Sequence, residues 1–170
     1  MTAARALVDD CTVTLLNERR LTIESVIKVG KFPEEITFCH AGRQALVTNS
    51  TSGTVSVIDT VKRRVTQTVN LAGIPITFPY GIAAAPTRGK VFVTSLGGVS
   101  KKTVAVLCDR PHTQVTICGT VKVPVFTGGG VLTPNGKFVV ITCGRSYKGP
   151  REITMIRSAT NKIVADLLRS

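Results

Sequence analysis

The chain writes one strand–turn–strand pattern three times. It reads ALVTNSTSGTVSVID at 45–59, KVFVTSLGGVSKKTVAVLCD at 90–109 and FVVITCGRSYKGPREITMIR at 138–157. The central positions Val57, Val106 and Met155 stand 49 residues apart. A period of that length marks a stack of similar β-units, because one unit alone cannot bury its apolar face. The apolar content of 43% is mostly Val, Ile, Leu and Ala, with no Trp. Branched side chains suit a half-buried pleated surface. An all-β array of four-stranded antiparallel units follows, about three and a half of them.

Turn residues divide the chain further. Residues 1–10 read as a tail or a short helix, and 11–31 as a half unit built from CTVTLLN and LTIESVIKV. Three full units span 32–73, 74–123 and 124–170. In the first full unit, PEEITFCH, RQALVTN, TVSVID and VTQTVNL are the four strands, joined at Ala41–Gly42, STSG and TVKRR. The half unit supplies the third and fourth strands of an earlier unit. Period-2 alternation and a Gly, Ser, Asn or Lys turn at each boundary carry these assignments.

LVTN, TSGTVSVIDT, KRRVTQTVNLAG and the PYG segment together resemble the YVTN β-propeller repeat. Val47–Asn49, Val55–Thr60 and Pro79–Gly81 match it most closely. The third unit departs from it: Arg157 is aligned with Asp59 and Asp109, and Gly128–Gly130 replaces the PYG lead-in. The resemblance implies a partial propeller over 11–170. It also implies relatives among surface-layer and secreted proteins and lactonase-like enzymes. Propellers close with about four to eight blades, and this count stays short of that. Three arrangements satisfy closure: a piece of a longer or reduced propeller, a homodimer closing a seven-bladed ring, or a distorted ring completed by the N-terminal strands.

The polar repeat residues are explained by turn chemistry. A short carboxylate or amide at a strand end accepts backbone N–H groups from the following turn. Asp59, Asp109 and Asn49 are expected to do so. His40 and His112 each stand in a turn, far from any HxH or HExxH spacing, so the sequence implies no metal and no cofactor. There is no GxSxG elbow and no Walker loop. Gly128–Gly130 precedes no helix, so it makes no phosphate cradle. The inner first strands, read as TFCH, YGIAAAP and GGGVLTP, carry almost no carboxylates, which weighs against an enzyme.

Lys and Arg number 22 against 10 acids, a net charge of +12. Such a field attracts polyanions, nucleic acid or acidic glycan. The longest turns, LGGVSKK and GRSYKGPR, gather Lys101, Lys102, Arg145, Tyr147, Lys148 and Arg151 at the loop face, with Lys31 and Tyr80 on neighbouring connections. An aromatic among cations can stack on a base while the cations hold phosphate. Cations at the opposite end, including Arg63, Lys90 and Lys162, oppose a one-sided footprint and fit a solvated surface. The expected function is a non-enzymatic binding module using its loop face, with a hydrolytic propeller enzyme or a structural fragment as alternatives.

The cysteines number five, with no CxxC. Cys108 and Cys118 flank one hairpin but are expected out of register, so all five are read as free thiols in a reducing, cytoplasmic compartment. A piece of a longer protein would instead be secreted or surface-bound. Neither a signal-peptide core nor an 18-residue apolar run is present, so no transmembrane segment is expected.

Overall fold

The computed structural model describes residues 2–7, 11–17, 19–85, 89–96, 102–110, 114–123, 127–144 and 151–168. These residues form fifteen strands in four antiparallel sheets. The first sheet holds β1 (Thr2–Leu7), β2 (Thr12–Asn17) and β3 (Thr22–Lys28). The second holds β4 (Pro33–Cys39), β5 (Gln44–Asn49), β6 (Thr54–Asp59) and β7 (Arg64–Asn70). The third holds β8 (Pro79–Ala85), β9 (Lys90–Ser95), β10 (Thr103–Cys108) and β11 (Thr116–Lys122). The fourth holds β12 (Thr127–Leu132), β13 (Phe138–Gly144), β14 (Arg151–Arg157) and β15 (Lys162–Leu168). No helix of the described residues is long and apolar enough to cross a membrane.

Neighbouring sheets pack face to face. Leu46, Val55, Val57 and Val69 of the second meet Val91, Val93, Ala105 and Leu107 of the third. Phe92, Val104, Val106 and Val121 of the third meet Val139, Ile141 and Ile156 of the fourth. Val13, Leu15 and Ile27 of the first meet Ala45, Val47 and Ile58 of the second. Alternation along each central strand sends successive side chains to opposite neighbours, so one strand serves two interfaces. The inner strands β4, β8 and β12 lie side by side around a common axis.

Two bulges recur and set the register. The third and fourth strands slip by one residue at Leu15/Leu16, Val57/Ile58, Val106/Leu107 and Met155/Ile156. The first and second strands slip between Pro33 and Ile36, Pro79 and Ile82, and Thr127 and Gly130. The second and third strands pair without a slip. In the first sheet β1 pairs with β2 without a slip, whereas β2–β3 carries the outer bulge. β1, β2 and β3 therefore hold the second, third and fourth places, and this sheet has no inner strand among the described residues.

Two expectations change here. Thr2–Leu7 is a strand, not a tail or helix, because pairing with β2 outweighs the helical preference of an Ala-rich segment. The first sheet thus holds three strands rather than two, which removes the count behind a seven-bladed dimer. Cys108 and Cys118 are also bridged, with Cα atoms 5.7 Å apart. The outer bulge explains this. Val106 pairs with Gly119 and Leu107 with Ile117, so Cys118 is the extra residue and lies diagonal to Cys108. Asn17 and Glu24 fill the same two positions in the first sheet, joined by a 2.8 Å hydrogen bond. A bridged pair removes the ground for inferring a reducing compartment. Cys11 and Cys39 are free thiols.

Candidate functional site

In the second, third and fourth sheets the inner bulge sets two residues opposite one threonine. Glu34 and Glu35 face Thr48, Tyr80 and Gly81 face Thr94, and Gly128 and Gly129 face Thr142. The bulge strands backbone groups that no ladder partner reaches, and the threonine hydroxyl takes them up. Thr48 Oγ1 accepts from Glu35 N–H at 3.1 Å and donates to the Tyr80 carbonyl of the next sheet at 2.6 Å. Thr94 Oγ1 accepts from Gly81 N–H at 2.8 Å and donates to the Gly128 carbonyl at 2.5 Å. Thr142 donates to the Gly129 carbonyl of its own sheet at 3.2 Å. The Thr48 and Thr94 hydroxyls stitch consecutive blades at the axis. Reading VTN as a strand end misses this role; the recurring Thr before Asn49 and Ser95 is the signal that carries it.

Glu35 stands where the other two blades have Gly81 and Gly129. Its Oε2 accepts from the Ile82 N–H at 3.1 Å. A Cβ built on Gly129 would lie 3.4 Å from its Oε1, and one on Gly81 would lie 2.6 Å from Thr94 Oγ1. Side chains at 81 and 129 would thus crowd the space that the Glu35 carboxylate and the threonine occupy. Glu34 precedes it, half-buried. Burial, and then the adjacent Glu35 charge, push its carboxyl above the ordinary range. The expectation of almost no carboxylates on the inner strands is corrected by this pair. The inner strand begins at Pro33, ahead of the TFCH segment taken for it.

Around these carboxylates, the same end of the sheets carries the starts of β4, β8 and β12 and the ends of β5, β9 and β13. Phe32 and Phe78 each precede a proline there, at φ 58° and 51°. They are 46% and 54% exposed, with Leu96 beside Phe78 at 49%. The Phe32 carbonyl accepts from Ser50 N–H and the Phe78 carbonyl from Leu96 N–H, which holds the unusual backbone in place. Bulky residues rarely adopt positive φ, so these aromatic positions are held by their surroundings.

Of the sequence-predicted site residues, Lys31, Tyr80 and Lys102 lie at this end. Lys31 is exposed, and its N–H bonds Ser52 Oγ at 2.7 Å. Tyr80 and Lys102 are half-buried. Arg151 opens β14 opposite Gly144. Lys101, Arg145, Tyr147 and Lys148 lie outside the described residues, as does His112.

At the opposite end several expected roles change. Asp59 caps its turn as expected, accepting from Val61 and Lys62 N–H at 3.0 and 2.8 Å. Asp109 does different work. Register aligns Cys108 with Asp59 and moves Asp109 one place on, where it is 3% exposed. Its Oδ1 meets His40 Nε2 at 3.1 Å and Gln44 Nε2 at 3.3 Å from the preceding sheet. His40 is therefore an inter-sheet contact rather than an exposed turn residue. Burial, with Asp109 as hydrogen-bond partner, holds the Cys39 thiol protonated well above its ordinary range, so it is no nucleophile. Asn49 bonds Thr54 Oγ1 and Ser56 Oγ at 3.0 and 2.9 Å rather than a turn backbone. Lys90 Nζ reaches the Ser158 and Ala159 carbonyls and Asn161 Oδ1, and so cross-links the third and fourth sheets.

A polar groove of about 450 Å³ also lies at that opposite end, lined by Arg43, Asp59, Lys62, Gln67 and Gln114 among others. Its walls are partly self-satisfied: Lys62 pairs with Asp59 at 3.7 Å, and Gln67 clamps the Val115 backbone at 2.7 and 2.9 Å. Among the described residues no three His, Cys, Asp or Glu side chains converge on a metal position.

No protein-family model matches the chain, and no curated protein matches it by sequence. Solved structures do match its fold. Kuenenia stuttgartiensis hydrazine synthase superposes with a TM-score of 0.86 at 18% identity, over 99% of this chain and 46% of that one. The dihydro-haem d1 dehydrogenase NirN, solved in complex with DHE, gives 0.78 at 16% identity, over 99% and 35%. A 6-phosphogluconolactonase-like protein from Bacteroides uniformis gives 0.77 at 13% identity, over 98% and 51%. The chain thus spans about half or less of the structures it matches. These are propeller-type folds, and the chain folds as consecutive blades of a β-propeller.

Proposed function

We propose that this chain is a binding module whose ligand docks on the end of the propeller that carries the carboxylate pair and the exposed phenylalanines, and that the ligand is a polyanion. One observation carries the reading. Lys31, Tyr80 and Lys102 lie at that end, in a chain of net charge +12. Function concentrates on loops held by a rigid scaffold, and cations with aromatics suit phosphate or sulfate with stacked rings. Glu34 and Glu35 at the axis repel an anion, which assigns the contact to the rim. Binding to heparin and to single-stranded DNA should weaken steeply as salt rises. Changing Lys101, Lys102, Arg145 and Lys148 together to Ala should cost at least about tenfold in affinity, the loss expected for several phosphate contacts. The same change at Lys137 and Lys162, at the other end, should cost little. Binding that ignores salt, or ignores the loop substitutions, ends this reading.

The axial pair favours a second reading, that of a hydrolytic enzyme. A carboxyl raised by burial beside a second carboxyl group is an arrangement suited to general acid–base work. The lactonase-like description of one structural neighbour names a chemistry to try. Hydrolysis of a panel of lactones, abolished by Glu34→Gln, would support it. An inert wild-type protein would reject it.

A further inference from the structure

We propose that two copies of this chain close into one ring, the fourth sheet of each packed on the first sheet of the other. The proposal does not rest on either reading of the ligand. Each sheet presents one face forward, to the sheet that follows it, and another backward. On the forward faces of the second and third sheets, Val55, Val57, Val104 and Val106 are 0%, 4%, 0% and 0% exposed. Register gives their places in the fourth sheet to Ile153 and Met155. There Ile153 is 42% exposed, and Val131 on the same face is 64% exposed.

The backward faces behave in the same way. Ile58, Leu107 and Ile156 are each 0% exposed in sheets that have a predecessor. Leu16 holds that place in the first sheet, opposite Ile23. Leu16 is half-buried there, and Ile23 is 66% exposed, whereas Val65, Ile117 and Ile163, which hold its place in the later sheets, are half-buried. The chain therefore leaves one forward face and one backward face uncovered among the described residues. They are the two halves of an interface it builds three times internally, with aliphatic side chains at the same register positions. Exposed aliphatic surface of this kind favours association.

A second copy supplies both missing halves at once. A two-fold axis then makes the two junctions equivalent and closes the assembly, whereas one repeated junction without closure would run on as a filament. The closed assembly has eight sheets, two of them three-stranded, rather than seven full blades. In such a ring the Glu34–Glu35 pair of each copy faces the inner strands of the other across the axis.

Light scattering on the 170-residue protein tests the proposal. At micromolar concentration the mass should be twice 18.1 kDa and stay there on further concentration. Ile153→Lys and Ile23→Lys should each give a monomer with an unchanged far-ultraviolet spectrum, since both positions are solvent-exposed in the single chain. Val131→Lys serves as the second forward-face variant. Mixing Ile153→Lys with Ile23→Lys should restore a dimer through the one junction that remains intact, and this dimer should dissociate more readily than the wild type. A monomeric wild type would overturn the proposal and assign the uncovered faces to other blades of a longer chain. So would a mass that climbs without limit, or a dimer indifferent to all three substitutions.

Discussion

Leu21 shows how one side chain can sit against its local geometry. It ends the turn between β2 and β3 at φ 52°, and it is 87% exposed. Arg63 and Asn161 hold the same place in later blades, at 56° and 59°. Only asparagine is well suited there, because its short polar side chain tolerates the left-handed region. Leu21→Asn should therefore raise the unfolding free energy by about 0.5–1 kcal/mol, the strain of one left-handed residue partly recovered. Urea denaturation would show it as a higher midpoint at unchanged slope. An unchanged or lower midpoint would mean that the turn does not store this strain. At this scale the sequence was only partly legible. Asp59 reads correctly as a turn cap, since its role is local. Asp109 does not, because its partners His40 and Gln44 come from another sheet.

Elements were more legible than the pairing between them. The alternation in Val55, Val57, Val65 and Val69 marks β6 and β7 directly, since one apolar face must be buried. β1 was hidden because TAARAL has no such alternation and pairs only through its backbone register with β2. The Cys108–Cys118 bridge was hidden by a one-residue bulge, which flips which residues become diagonal neighbours. Its closed loop of about ten residues stabilises the hairpin by roughly 2–3 kcal/mol on the chain-entropy account. The inner bulge makes a sharper demand. Gly81→Ala would bring a methyl within 2.6 Å of Thr94 Oγ1 and 3.0 Å of Gly129 Cα. The expected cost is about 1–3 kcal/mol, as for other overpacked sites. Gly119, where an added methyl would meet nothing within 4 Å, should accept Ala without that penalty. Calorimetry on the two variants compares them, and equal midpoints would mean that the inner strands have room to separate.

Across the whole molecule, the number of repeats was readable in the sequence while their closure was not. The 49-residue spacing requires stacked units, but nothing in a strand's own pattern says which of its faces lacks a neighbour. That became visible only through exposure at equivalent positions, as at Val55 and Ile153. The candidate site divides in the same way. Its basic loops are written plainly in the sequence, whereas Glu34 and Glu35 gain their setting from strands 47 and 94 residues further on. The threonine bonds at the axis carry a further implication. The Thr48 and Thr94 hydroxyls each reach into the blade ahead while serving the bulge of their own blade, so the series has a direction of travel, like roof tiles laid from one edge. A blade inserted anywhere in such a series brings its own fastening and leaves the earlier ones untouched. An architecture of this kind can lengthen or shorten by whole units through duplication or loss, without redesign of the seams already made.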